Sequence, residues 1–201
     1  MKEVSVIGSG GHARSLIPLL LDQGFNVTGV YDTSFQDRPY EEIYKNIKLI
    51  GKECIGGQTV VLAFGDNHIR KKYLIGSLKV LESNLFHSSS FVDDTVSLGN
   101  SNVVFANSFI NANASLGDNN IVNTGSLIEH EVTIGSHNHI AVNATICGRV
   151  RVGDLCFIGA GATIIDSISI CDNVVVGAGA TVVSDIRQAG TYVGTPARKV
   201  K

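Results

Sequence analysis

The chain has 201 residues, 44% of them hydrophobic, with 17% charged and a net charge of −2. That length and apolar content suffice for one generous core or two small ones, which excludes a disordered chain. Basic residues cluster only at Arg70 to Lys72 and Arg198 to Lys201, so no surface suits a polyanion and nucleic acid is not an expected partner.

The first strand-like run, Val4 to Ile7, begins three residues from Met1 and leads straight into Gly8, without the charged and apolar segments of a secretory leader. A cytoplasmic protein is expected. No run approaches the roughly 18 apolar residues of a membrane span; the stretch Leu16 to Leu21 is short and contains Pro18.

In chain order, KEVSVIG, GSGGH, ARSLIPLLLDQGF and NVTGVYD read as strand, glycine turn, helix and strand, which is one βαβ unit. A later apolar run, Thr59 to Phe64, ends in Gly65-Asp66-Asn67, and His68 to Leu81 carries the pattern of an amphipathic helix. Residues 1–86 therefore read as a small Rossmann-like domain with a parallel α/β sheet.

The turn Gly8-Ser9-Gly10-Gly11-His12 opens a helix, where unpaired backbone N–H groups and the helix dipole favour a phosphate. The pattern meets the dinucleotide fingerprint only in its looser form, because Ala13 stands at the last position. Asp32, about twenty residues on, is where a ribose-binding acid would stand. Residues 1–86 hold only about one mononucleotide half, which suits a single nucleotide better than NAD. A plainer reading has the glycines shaping a strand-to-helix corner and Asp32 capping a loop.

From Val92 an aliphatic residue recurs every six positions: Val92, Leu98, Val104, Ile110, Leu116, Val122, Ile128, Ile134, Ile140, Ile146, Val152, Ile158, Ile164, Ile170, Val176 and Val182. An α-helix cannot satisfy a period of six, and the intervening Gly, Asn, Asp, Ser and Ala favour turns. Each hexad must be a short strand plus a corner, and three hexads close one triangular coil. Stacked coils place the recurrent aliphatics inside a prism and bond their backbones as parallel strands. Cys54, Cys147, Cys156 and Cys171 lie in apolar runs without CxxC spacing, which fits packed thiols better than disulfides or zinc.

The segments VDDTVS-LGNSNV, INANAS-LGDNNI, VGDLCF-IGAGAT and ICDNVV-VGAGAT resemble the hexapeptide-repeat acyltransferases over residues 92 to 186, and Gly194-Thr195-Pro196-Ala197-Arg198 resembles their closing turn. GSGGHAR at the front narrows the resemblance to the family of amino-sugar-nucleotide N-acetyltransferases and sialic-acid O-acetyltransferases. The resemblance implies an all-β left-handed parallel β-helix over residues 87–201, acetyl-CoA as cosubstrate, no metal, and a homotrimer with active sites at subunit boundaries. It also implies that Ser9, Gly10, Gly11, His12 and Asp32 contact a UDP- or dTDP-linked amino sugar, with Asp66 and Asn67 as further candidates.

Acetyl transfer needs a base to take a proton from the acceptor, and imidazole suits this with an ordinary pKa of about 6.5. In Ile128-Glu129-His130-Glu131 the candidate is His130, with Glu131 or Glu129 orienting it. Strict alternation along a strand would turn His130 away from both, so the pairing requires a corner. The resemblance favours Glu131, sets Asn123 near the acceptor and His139 near the acetyl group. Gly148 is a candidate corner for an oxyanion. Gly159-Ala160-Gly161 and Gly177-Ala178-Gly179, one coil apart, offer a smooth groove for pantetheine or mere corner geometry.

Three rival readings follow from the same residues. A sialic-acid hydroxyl needs the same base as an amine. A hexapeptide carbonic anhydrase would ligate metal with His130, His137 and His139 across coils and subunits, but would have no use for the front domain. A non-enzymatic nucleotide-binding trimer would leave Glu129, His130 and Glu131 without a purpose.

Overall fold

β1 (Lys2–Ile7) is exposed at Lys2 and Glu3 and buried from Val4 to Ile7, the pattern of a strand covered on both faces. Around it the computed structural model, which describes residues 2–53 and 57–200, builds a six-stranded sheet. Its other strands are β2 (Phe25–Tyr31), β3 (Glu42–Tyr44), β4 (Ile47–Gly51), β5 (Thr59–Leu62) and β6 (Lys79–Val80), in the order β3-β4-β2-β1-β5-β6. All neighbours are parallel except the β3–β4 hairpin, whose Lys45 and Asn46 both have positive φ. These strands lie in the first of two units, Met1–Leu85 and Phe86–Lys201.

Helix α1 (Gly11–Asp22) buries Ala13, Leu16, Ile17, Leu19 and Leu20, with Pro18 tolerated inside it. Helix α2 (Asn67–Leu74) is capped by Asp66, whose carboxylate accepts from the Ile69 N–H at 2.8 Å. It stops seven residues before the expected Leu81. Gly76 follows its C-terminal turn, and Lys79–Val80 leaves helical conformation to pair with Thr59–Val60 at the sheet edge. β5 pairs with β1 on the side away from β2, and α2 leads from β5 to β6 beyond it, so the strand order reverses between β1 and β5, where open α/β sheets leave a crevice.

In the second unit each recurrent aliphatic is the last residue of a short strand. Those from Val104 to Val182 are buried, whereas Val92 and Leu98 in the first coil are half-buried against the same core. Strands pair in parallel register eighteen residues apart, as in Ile110 with Ile128 and Ile128 with Ile146. Every sixth residue from Ser101 to Gly179 has φ between 54° and 68°, and most are Asn or Gly, which adopt this left-handed corner at least cost.

A second ladder runs inside the prism. Asn120 N donates to Asn102 Oδ1, Asn138 N to Asn120 Oδ1 and Cys156 N to Asn138 Oδ1, at 2.6 to 2.9 Å. Cys156 occupies the next rung, and its thiol donates to the Cys171 carbonyl at 3.2 Å. Cys147, Cys156 and Cys171 form no disulfide; Cys54 lies outside the described residues. At the far end Gly190–Val193 adds a parallel strand beside Val174–Val176, and the closing turn brings Arg198 back against Val193. Among the described residues no helix is long and apolar enough to cross a membrane.

Candidate active site

Successive coils superimpose their corners, so residues eighteen apart stand in one column. One column carries Ala112, His130, Gly148 and Asp166, and beside it run Asn113, Glu131, Arg149 and Ser167. The backbone bonds Glu131 N to Ala112 O, Arg149 N to His130 O and Ser167 N to Gly148 O stitch it together at 2.9 to 3.0 Å. Glu131, Arg149 and Ser167 all have positive φ. Glu and Arg are costly there compared with Asn or Gly, and backbone strain of this kind concentrates at functional sites.

This corner supplies the bend that a strand could not. His130 Nδ1 lies 3.2 Å from Glu131 Oε2, with the two side chains about half exposed. A carboxylate at Nδ1 favours the tautomer that carries its proton there and leaves the lone pair on Nε2. Gly148 stands against the other edge of the ring: a Cβ on it would come within 2.7 Å of Cε1 and 2.8 Å of Nε2. Glu129, the other candidate partner, accepts instead from Asn111 Nδ2 at 2.7 Å.

Sequence reasoning missed one cation and one acid in the coils after the dyad, Arg149 and Asp166. Arg149 Nη1 lies 3.8 Å from Glu131 Oε2, while its Nη2 donates to both oxygens of Asp166 at 2.9 Å. The Ser167 hydroxyl and the Arg149 guanidinium hold the Asp166 carboxyl below its usual range. The available signal was charge recurring at corner positions one coil apart.

The remaining β-helix candidates stand elsewhere on the prism. Asn123 Nδ2 lies 3.1 Å from His139 Nε2, and the His139 ring meets Phe157 edge-on at 5.0 Å. Ala160 and Ala178 are exposed on the corner that follows the Phe157–Ile158 and Val174–Val176 strands. His130 sits on the corner after Leu127–Ile128, so a whole prism face separates it from Ala160 and Ala178 within one chain. His137 is buried on the third corner with Nδ1 2.9 Å from Asn119 Nδ2, so it is a packed corner residue rather than a solvent-facing one. No group of three or more His, Cys, Asp or Glu is arranged to hold a metal ion among the described residues.

In the first unit a cleft of about 400 Å³ is lined by Gly8, Ser9, Gly10, Gly11, His12, Asp32, Ala63, Phe64, Gly65 and Asp66. The structure thus gathers six of the eight predicted acceptor residues at the crevice between β1 and β5. Asp32 is already engaged: Oδ2 accepts from Ser9 N and Oδ1 from Ser34 N, both at 2.8 Å. Burial pushes its carboxyl up, but the Ser34 and Ser9 bonds outweigh this and hold it below its ordinary value. Arg38 joins the same turn, donating from Nη2 to the hydroxyls of Ser9 and Ser34 at 2.8 and 2.7 Å.

Asn67 does not line the cleft. It is buried at the start of α2, where its Oδ1 accepts from Arg70 Nη2 at 3.0 Å. Arg70 Nη1 in turn donates to the Phe64 carbonyl, so this pair shapes the Gly65 turn from behind. Burial pushes the Arg70 guanidinium down to about 10.

Comparisons with known proteins match both units. Residues 3–75 fit the PglD N-terminal domain. Residues 131–166 fit the bacterial transferase hexapeptide of six repeats, and residues 149–184 the hexapeptide repeat of succinyl-transferase. Among solved structures, PerB from Caulobacter crescentus, in complex with CoA and GDP-perosamine, is 30% identical over 100% of this chain and 98% of its own, with a TM-score of 0.90. A variant of perosamine N-acetyltransferase from the same organism, also with CoA and GDP-perosamine, is 28% identical with the same coverage and TM-score. The acetyltransferase domain of PglB from Neisseria gonorrhoeae FA1090, in complex with acetyl coenzyme A, is 27% identical over 99% of each chain, with a TM-score of 0.87. No curated protein sequence matches.

Proposed function

The chain belongs to the left-handed β-helix sugar acetyltransferases that carry a PglD-type N-terminal domain, and from that membership we propose that it moves an acetyl group from acetyl-CoA to the amine of a nucleotide-linked amino sugar. The observation that carries the reading is the contact of His130 Nδ1 with Glu131 Oε2 at 3.2 Å, made on a corner whose backbone favours neither Glu nor the strand before it.

The roles follow from that contact. The acceptor nitrogen attacks the thioester carbonyl carbon, forming the C–N bond as the carbonyl electrons move onto oxygen. His130 Nε2 takes the proton from the attacking nitrogen, and Glu131 stabilises the imidazolium. The oxygen electrons return, the C–S bond breaks, and the imidazolium proton passes to the departing thiolate. Gly148 leaves room for the ring and, on the same corner, for the thioester oxygen.

We assign nucleotide binding to the cleft of Ser9, Gly10, Gly11, His12, Asp32 and Asp66, supported by its place at the N-terminus of α1. Asp32 organises that turn, which leaves direct contact with a diphosphate to the backbone around Gly10 and Gly11. The two Caulobacter relatives are complexed with a GDP-linked sugar, so guanosine joins uridine and thymidine among the candidate bases.

We read the working unit as a homotrimer in the cytoplasm, where acetyl-CoA and nucleotide sugars occur. Support comes from the separation of His130 and Glu131 from Asn123, His139, Ala160 and Ala178, which a second copy would bridge. One prism face also exposes Phe91 and Leu127, with half-buried Phe109 stacked on Phe91 between them. Sedimentation at micromolar concentration tests the assembly, and a monomer would exclude it.

The activity is tested by thiol release from acetyl-CoA with UDP-, dTDP- and GDP-linked amino sugars and with free sialic acid. Turnover of a nucleotide amino sugar that falls by roughly 10²–10⁴ in His130→Ala, with both substrates still bound, is expected of a general base. Equal rates for wild type and variant from pH 6 to 9 would remove His130 from the mechanism.

A further inference from the structure

We propose that Arg149 is a positioning residue for the acetyl transfer: anchored by Asp166 one coil along, it holds the Glu131 carboxylate against Nδ1 of His130. This rests on the reading of His130 as the general base.

The repeat puts the three charges in line. Glu131 and Arg149 occupy equivalent left-handed corners in consecutive coils, so their side chains leave the prism in the same direction, separated by about the 4.8 Å between paired strands. Asp166 belongs to the coil after that, in the column of His130 and Gly148. The result is an alternation of carboxylate, guanidinium and carboxylate along one edge, with the imidazole beside its first member.

The distances say which link is tight. Arg149 Nη2 meets both Asp166 oxygens at 2.9 Å, its Nε reaches Ser167 Oγ at 3.4 Å, and that hydroxyl donates to Asp166 Oδ2 at 2.7 Å. Arg149 Nη1 then stands 3.8 Å from Glu131 Oε2. Glu131 is 53% exposed, and its contact with His130 is 3.2 Å, longer than the roughly 2.7–2.9 Å of a strong charge-assisted bond. An exposed carboxylate on a flexible chain makes such a contact only part of the time unless something restrains it. Arg149 is placed to be that restraint, and its own aim is fixed from the far side by Asp166.

Ion pairs this exposed contribute modestly to stability, and the corner costs Arg149 backbone strain that Asn or Gly would avoid. Stability alone therefore gives little reason for Arg at this corner. The charged groups near the imidazole are Glu131 on its own turn, Glu129 one residue before it, and Arg149 and Asp166 from the following coils; Glu129 is turned to Asn111. Among the described charged residues, Glu131 is the one in contact with the ring, and Arg149 reaches Glu131 from the next coil.

The test is steady-state kinetics of the full chain with acetyl-CoA and its best nucleotide amino sugar. Arg149→Ala should lower kcat about tenfold, a loss of the size small misplacement produces, with both KM values and the melting temperature nearly unchanged. Arg149→Lys, which keeps a cation but not the fork, should recover part of kcat. In a Glu131→Gln background Arg149→Ala should cost nothing further, because its action passes through the missing carboxylate. The proposal is overturned if Arg149→Ala keeps wild-type kcat, if its loss multiplies with that of Glu131→Gln, or if only the KM for acetyl-CoA rises, which would make Arg149 a cosubstrate contact. Full turnover by His130→Ala would instead sink the base assignment itself, so the two failures are distinguishable.

Discussion

The His130 imidazole stands where a side chain on Gly148 would be: a Cβ there would lie 2.7 Å from Cε1 and 2.8 Å from Nε2. The ring is about half exposed and free to swing outward, so Gly148→Ala should move the imidazole rather than unfold the coil. We expect kcat to fall by roughly 10² with a melting temperature within about 2 °C of wild type. Wild-type kcat would mean that the ring works from another position.

Asp32→Asn leaves one oxygen where two are in use, so either Ser9 N or Ser34 N loses its acceptor. We expect a cost of about 1–3 kcal/mol and weaker binding of nucleoside diphosphate by calorimetry. The wild-type carboxyl is held below its ordinary 3.8. Its contribution is therefore present above pH 3.8 and lost as the pH falls through the folded value. Denaturant melts at pH 7 and pH 3 should show the gap between wild type and variant narrowing; a constant gap would contradict the assigned bonds.

Burial pushes the Cys156 thiol up to about 12 from 9.0. The folded state then keeps a proton that the unfolded chain releases, so stability falls as the pH rises from 9 toward 12. Cys156→Ala should flatten that alkaline slope, and at pH 8 iodoacetamide should reach Cys156 only with unfolding. Rapid native alkylation, located by peptide mass, would refute the packing.

Ile140 is fully buried between Val122 and Ile158 in the coils on either side. Ile140→Ala should cost about 2–5 kcal/mol by urea unfolding, and Leu98→Ala, in the half-buried first coil, distinctly less. Similar costs at both would argue against a core that thins toward that end.

The hexad period was legible because every coil repeats the same demand, an aliphatic at Ile128, Ile146 and Ile164 facing the same interior. The acceptor cleft was legible as far as chain punctuation reaches: Gly8 to His12 and Gly65-Asp66 end apolar strands. Misreading set in where local pattern and long-range pairing disagree. Leu78 and Val80 fit a continued helix, but they are apolar because Lys79–Val80 joins the sheet edge. The hairpin at Lys45-Asn46 has no Gly to mark it, although Asn46 accepts the left-handed turn easily. Asp32 carries a ribose-binding spacing, but its bonds to the Ser9 and Ser34 N–H groups arise from the folded turn, which spacing does not show. Arg149 and Asp166 meet only because eighteen residues make one circuit, so their contact requires counting coils rather than neighbours.

Because corners recur every six residues and columns every eighteen, the chain downstream of His130 is keyed to the upstream chain by phase. Removing one hexad between Ile110 and Ile128 would leave the aliphatic rhythm intact, yet turn the dyad by a third of a revolution relative to the coils before it. Removing three would shorten the prism by one storey and return every later residue to its own edge. Inheritance by unequal exchange should therefore conserve the number of hexads modulo three from Ile110 to Ala178, because His130, Ala160 and Ala178 keep their edges only when whole circuits are gained or lost.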